Sequence, residues 1–152
     1  NLALVDLTHR FLLGMRQRRY GNIINMASVA GFQAMPYFSI YAATKAFILS
    51  FSEALWAENR NDGIHVVAVC PGPTETNFFQ EAEFPTFLAD VAAKNYTPVK
   101  VVVQEALEAI DKKQPIVIPG NPTNHVLANL PRFLPREAVV NLWKFLLGMR
   151  GK

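Results

Sequence analysis

Asn22 to Ala27 reads NIINMA and Ile64 to Cys70 reads IHVVAVC, two short stretches in which apolar residues fill both alternating positions. That pattern predicts strands covered on both faces, the environment of a parallel sheet. Between them, Ile40 to Asn61 repeats apolar residues at three and four, and Asn61, Asp62 and Gly63 supply a helix stop. Pro71, Gly72 and Pro73 end the second strand, and Pro115 to Pro119 (PIVIP) reads as a third, preceded by a helix over Val99 to Lys113. Strand, helix, strand, helix, strand makes a right-handed parallel unit. The fold expected is α/β, three parallel strands with flanking helices.

Upstream, Asn1 to Arg19 reads as an amphipathic helix with Val5, Thr8, Leu12 and Met15 in its apolar stripe, closed by Gly21. Its apolar spacing is already running at Leu2, Ala3 and Leu4, as though the chain opens partway through an element. Downstream, 122–152 reads as one or two helices broken near Pro131 and Pro135. The 152 residues, 51% hydrophobic and 18% charged, suit one domain rather than a disordered chain. A net charge of +3 with no long basic block argues against nucleic-acid binding. The basic groups Arg16, Arg18, Arg19 and Lys112, Lys113 read as solvated helix ends. A single cysteine, Cys70, excludes an internal disulfide and points to a reducing compartment, the cytoplasm. No apolar run reaches the roughly 18 to 20 residues of a transmembrane span, and no signal peptide opens the chain.

The chemistry concentrates where strands end. Tyr41 and Lys45 sit four apart at the start of the long helix, so they share one face. A nearby ammonium favours a phenolate, which is what a tyrosine needs to exchange a proton with an alcohol or carbonyl. Tyr96 and Lys100 have the same spacing, but Pro98 between them breaks any shared helix face. Only the first pair has company, with Ser28 closing one strand and Pro71-Gly72 the next. Cys70, at a buried strand end, reads as an apolar filler, and His9, His65 and His125 lack metal-ligand spacing.

These stretches, N-I-I-N-M-A-S-V-A-G-F, Y-A-A-T-K-A-F and V-A-V-C-P-G-P-T-E-T, resemble the short-chain dehydrogenases/reductases. The resemblance is specific from Asn1 to about Thr76 and looser through the third strand. It implies the C-terminal part of a Rossmann-type doubly wound sheet, NAD or NADP as cofactor, and an Asn-Ser-Tyr-Lys tetrad. Ser28 matches the serine that binds the substrate oxygen, Tyr41 the acid/base, and Lys45 the lysine that eases its ionisation and holds the nicotinamide ribose. Asn1 falls where the family's helix asparagine anchors a relay water. Pro71, Gly72, Thr74 and Thr76 match the segment lying along the nicotinamide. The first helix and the long helix are those that pair subunits in this family, implying a homo-dimer or homo-tetramer.

The sequence departs from the family in lacking the glycine-rich turn and the Asn-Ala-Gly segment of the N-terminal half. It therefore reads as one incomplete domain over 1–152, expected to be inactive alone and marginal in stability because its sheet is cut beside a central strand. The alternative is a truncated, non-catalytic scaffold acting as a dimerisation or regulatory partner. The 74–97 connection, with Phe78, Phe79, Phe84 and Phe87 and a short helix over Pro85 to Lys94, reads as a substrate-binding loop. With Ala34, Met35, Tyr37 and Phe38 it would wall in a small apolar carbonyl or alcohol substrate. Val139 to Arg150 is amphipathic with a basic tip, a face for a partner subunit or, as the other reading, a membrane surface.

Overall fold

The stretch IHVVAVC folds as β2 (Ile64–Val69) and takes the middle of a three-stranded parallel sheet, between β1 (Gly21–Met26) and β3 (Ile116–Val117). The computed structural model describes residues 1–81 and 95–148. The register runs from Gly21 opposite Ile64 to Met26 opposite Val69, and β3 pairs Ile116 with Ala68. The helices are α1 (Leu2–Arg18), α2 (Ser39–Asn59), α3 (Phe78–Glu81), α4 (Val99–Asp111), α5 (Pro122–Asn129) and α6 (Arg136–Gly148). The short helix expected over Pro85 to Lys94 lies outside the described residues. Among the described residues no helix is long and apolar enough to cross a membrane.

Both faces of β2 are covered. Ile64 and Val66 pack with Leu12 of α1 and Leu55 of α2, while Ala68 and Cys70 pack with Leu49, Ile118 and Ala128. On the opposite face Val67 and Val69 meet Val102, Ala106 and Ala109 of α4. The sheet is thus wound on both sides, as expected. The α1 stripe is also as read, with Thr8 and Leu12 buried and Val5 and Met15 half-buried.

β1 departs from its reading. Its Ile24 and Met26 are 40% and 48% exposed, because β1 is the edge strand and α4 covers only the β2 and β3 part of that face. On the other face of β1 a groove lies against α1, lined by Leu7, Thr8, Phe11, Ile23 and Asn25. Nor does Gly21 close α1. Arg19 takes the left-handed position at φ 52°, and Gly21 is already the first residue of β1. The left-handed glycine is instead Gly63, at φ 75°, where a side chain would also strike the Arg19 carbonyl. That contact sets the turns before β1 and β2 against each other.

Two polar ties fix the helices. Asn25 Nδ2 donates to Ser52 Oγ at 2.9 Å, and that hydroxyl donates to the Ile48 carbonyl at 2.7 Å, tying β1 to α2. Arg16 Nε donates to Oδ1 of the fully buried Asn59 at 2.8 Å. Arg16 is exposed in the last turn of α1, as read, and its guanidinium also ties α1 to α2.

An unpaired strand edge bearing exposed Ile24 and Met26 is a template for association. The 152-residue chain is expected to self-associate with rising concentration in light scattering coupled to size exclusion. A clean monomer with a sharp thermal transition would count against this.

Candidate active site

Where β1 ends, Ala27 N donates to the Val69 carbonyl at 2.8 Å and the chain leaves the sheet. Ser28, extended at φ −172°, caps a 3-10 turn over Val29–Phe32. Its Oγ accepts from Ala30 N at 3.1 Å and donates to the Pro71 carbonyl at 3.4 Å, while Val29 N donates to the same carbonyl at 3.1 Å. Ser28 thereby joins the ends of β1 and β2. The turn presses onto α2 at Gly31, where a Cβ would lie 2.8 Å from the Lys45 carbonyl oxygen. Only glycine allows that approach, and through it the serine's turn reaches the helix that carries Tyr41 and Lys45.

Tyr41 lies in the first turn of α2 and Lys45 one turn on. Lys45 Nζ sits 5.7 Å from the centroid of the Tyr41 ring and donates to the Met26 carbonyl at 2.8 Å. Because Ala27 turns its amide toward β2, Met26 turns its carbonyl toward the open edge, and the lysine occupies that acceptor. Burial pulls the Lys45 ammonium below the ordinary lysine range, partly opposed by the neighbouring Cys70. The Phe78 ring lies 5.7 Å from that of Tyr41, tilted by 45°.

Beyond β2, Gly72 packs directly against the side-chain amide of Asn124 at the start of α5, and Asn124 Nδ2 donates to the Pro119 carbonyl at 3.1 Å. Thr74 Oγ1 donates to the Gly72 carbonyl at 3.1 Å, and Thr76 Oγ1 accepts from Phe78 N at 3.3 Å at the start of α3. Thr74 also forms a parallel bridge with Thr97, closing the base of the 74–97 connection. Phe84 and Phe87 fall outside the described residues, and Tyr37 is 72% exposed.

Ser28, Tyr41 and Lys45 are thus linked through Gly31 and the Met26 carbonyl, and Pro71 and Gly72 adjoin them through Ser28. Asn1 is exposed at the N-cap of α1 with no side-chain capping bond. Since α1 runs back against β1, Asn1 lies toward the same end of the sheet. Tyr96 and Lys100 are separated as expected, Pro98 capping α4 between them. No cluster of metal-ligating side chains occurs among the described residues. Asn124, Asn25 and Ser52 were not singled out from the sequence, because Gly72 and Asn124 are brought together only by folding.

With this geometry in hand, the family model for short chain dehydrogenases matches residues 1–86. The chain belongs to that family. It is similar to the ketoacyl reductase HetN of a Nostoc species, 30% identical over 131 residues, which cover 85% of this chain and 44% of that protein. It is also similar to acetoacetyl-CoA reductase of Paracoccus denitrificans, 42% identical over 70 residues, covering 46% of this chain and 29% of that one. Among solved structures, a short-chain dehydrogenase from Sphingobium yanoikuyae in complex with NADPH superposes with a TM-score of 0.71 at 29% identity, over 100% of this chain and 55% of that one. The chain spans less than half the length of the curated relatives named here.

Two measurements follow from these contacts. Ser52→Ala leaves the Asn25 amide buried without its acceptor, so denaturant unfolding is expected to show a loss of about 1–3 kcal/mol. Burial pushes the Cys70 thiol up to about 12, with Glu53 adding and the Ser28 backbone bond and Lys45 opposing. A folded-state value above the unfolded one means stability that is full below the ordinary thiol range and lost as pH rises toward about 12. The difference in unfolding free energy between the native chain and Cys70→Ala is expected to shrink over that window, and a pH-independent difference would contradict it.

Proposed function

We propose that this chain is the catalytic portion of an NAD(P)-dependent oxidoreductase that interconverts an apolar alcohol and its ketone. The observation that carries this reading is the half-buried Lys45 ammonium, held over the Tyr41 ring by the Met26 carbonyl and pressed by the turn that Ser28 caps. Tyr41 exchanges the proton with the substrate oxygen. Lys45 keeps positive charge beside the ring that becomes negative as the proton leaves. Ser28 donates to the same substrate oxygen, exchanging its 3.4 Å bond to the Pro71 carbonyl for that contact.

The residues present fit the nicotinamide half of the cofactor. An ammonium has three N–H donors, and the Met26 carbonyl takes one, which leaves Lys45 two for ribose hydroxyls. Pro71, Gly72, Thr74 and Thr76 form the turn at the end of β2 along which the nicotinamide would lie, the position where ligands bind in open α/β sheets. When bound, the cofactor supplies or accepts the hydride. Asn1 takes the proton-relay role that the resemblance implies, a reading supported by its place toward this end of α1.

Apolar substrates are favoured by Phe78 beside Tyr41 and by the exposed Tyr37. The named relatives act on ketoacyl and acetoacetyl-CoA carbonyls. Exposed Leu2, Leu7 and Phe11 on α1 with Ile40 and Phe47 on α2 support a homo-dimer or homo-tetramer.

Tyr41→Phe in the full-length protein removes one hydroxyl and leaves the ring contacts. Turnover of an apolar ketone with NADPH or NADH is expected to fall about 10²- to 10⁴-fold, with cofactor affinity nearly unchanged. Unaltered turnover would refute the assignment.

A further inference from the structure

Charge is divided unevenly along this chain. Residues 1–121 carry ten Lys and Arg against eleven Asp and Glu, whereas 122–152 carry five against one, Glu137. The whole positive excess therefore belongs to residues 122–152. In the same segment α6 buries one face through Val139, with Val140, Trp143 and Leu147 half-buried. The adjoining face is apolar and open. Leu142, Phe145 and Leu146 are 37%, 58% and 47% exposed, and Phe133 and Leu134 just before the helix are 81% and 40% exposed.

On a helical projection Leu142, Phe145 and Leu146 fall within about 100° of arc, with Glu137 and Lys144 beyond one margin, while Arg136, in the first turn, projects on the side of Val139 and Trp143. Arg132, Arg136 and Lys144 are all exposed. An open aromatic and leucine face in a segment with an excess of exposed basic side chains is the composition of a helix that lies in the plane of a lipid headgroup layer. We propose that α6 and the preceding Phe133-Leu134 segment dock on an anionic bilayer surface, Phe133, Phe145 and Leu146 entering the headgroup boundary and Arg132, Arg136 and Lys144 meeting lipid phosphates.

The charge decides between this occupant and a second copy of the chain. In a two-fold interface the same patch meets itself, so the basic excess of one copy would face that of the other. Like charges brought together oppose association, whereas an anionic leaflet neutralises them. The inference goes beyond the proposed reaction and does not depend on it.

The test is co-sedimentation of the full-length protein with sonicated vesicles of phosphatidylcholine alone or with 30 mol% phosphatidylserine. Binding is expected to the anionic vesicles only, and to weaken between 0.1 and 0.5 M NaCl. Replacing Arg132, Arg136 and Lys144 with Gln should cost about fivefold in vesicle affinity per residue. Phe145→Asp with Leu146→Asp should abolish binding while the circular dichroism spectrum and the Tyr41-dependent turnover, if present, are unchanged. No binding at low salt, or equal binding by the aspartate variant, overturns the proposal. So does a concentration-dependent oligomer that the same aspartate substitutions dissolve, which would assign the patch to a second copy. Turnover and vesicle binding are read separately, so loss of one leaves the other interpretable.

Discussion

A half-buried ammonium has to find an acceptor, and Lys45 finds it in the Met26 carbonyl at the open edge of β1. Much of the site depends on that bond. It fixes the amine over the Tyr41 ring, and it relates α2 to the last residue of β1, two positions before Ser28. Burial works against the lysine's charge, so the geometry persists only because the surrounding contacts hold α2 in register. The Asn25 to Ser52 bond and the Gly31 approach supply that register from either side of the Met26 contact.

The central strand explains why so small a piece of sheet can hold such a site. Ile64, Val66, Val67, Ala68 and Val69 are almost wholly shielded from water, with α1 and α2 on one face and α4 on the other. Their burial is the main hydrophobic contribution to the described sheet. The loops at the C-terminal ends of β1 and β2 inherit their positions from it, and Ser28 links the two through the Pro71 carbonyl. The candidate site is thus gathered at the end of a rigid element.

Much of this was legible in the residues. The double-sided apolar pattern of IHVVAVC identified β2, and Gly63 marked the end of α2 because a left-handed turn was required there. Tyr41 and Lys45 were legible because a helix converts a spacing of four into proximity. NIINMA misled in one respect, since alternation reports what a strand is suited to pack against and not which neighbours this chain provides. The Gly72 to Asn124 contact and the Arg16 to Asn59 tie had no local signal, because each joins residues distant in sequence through folding. The role of Gly31 was hidden for the same reason, since its importance lies in the backbone it touches.

The Thr74 to Thr97 bridge has an evolutionary consequence. With Thr97 N bonded to the Pro73 carbonyl and Glu75 N to the Thr97 carbonyl, the two ends of the intervening segment are clasped independently of what lies between them. Lengthening such a closed loop is inexpensive, about 0.6 kcal/mol for each doubling. Insertions and substitutions there can accumulate without shifting the register of β2 or the start of α4. Change can therefore concentrate at one location while Ser28, Tyr41 and Lys45 remain mechanically insulated from it.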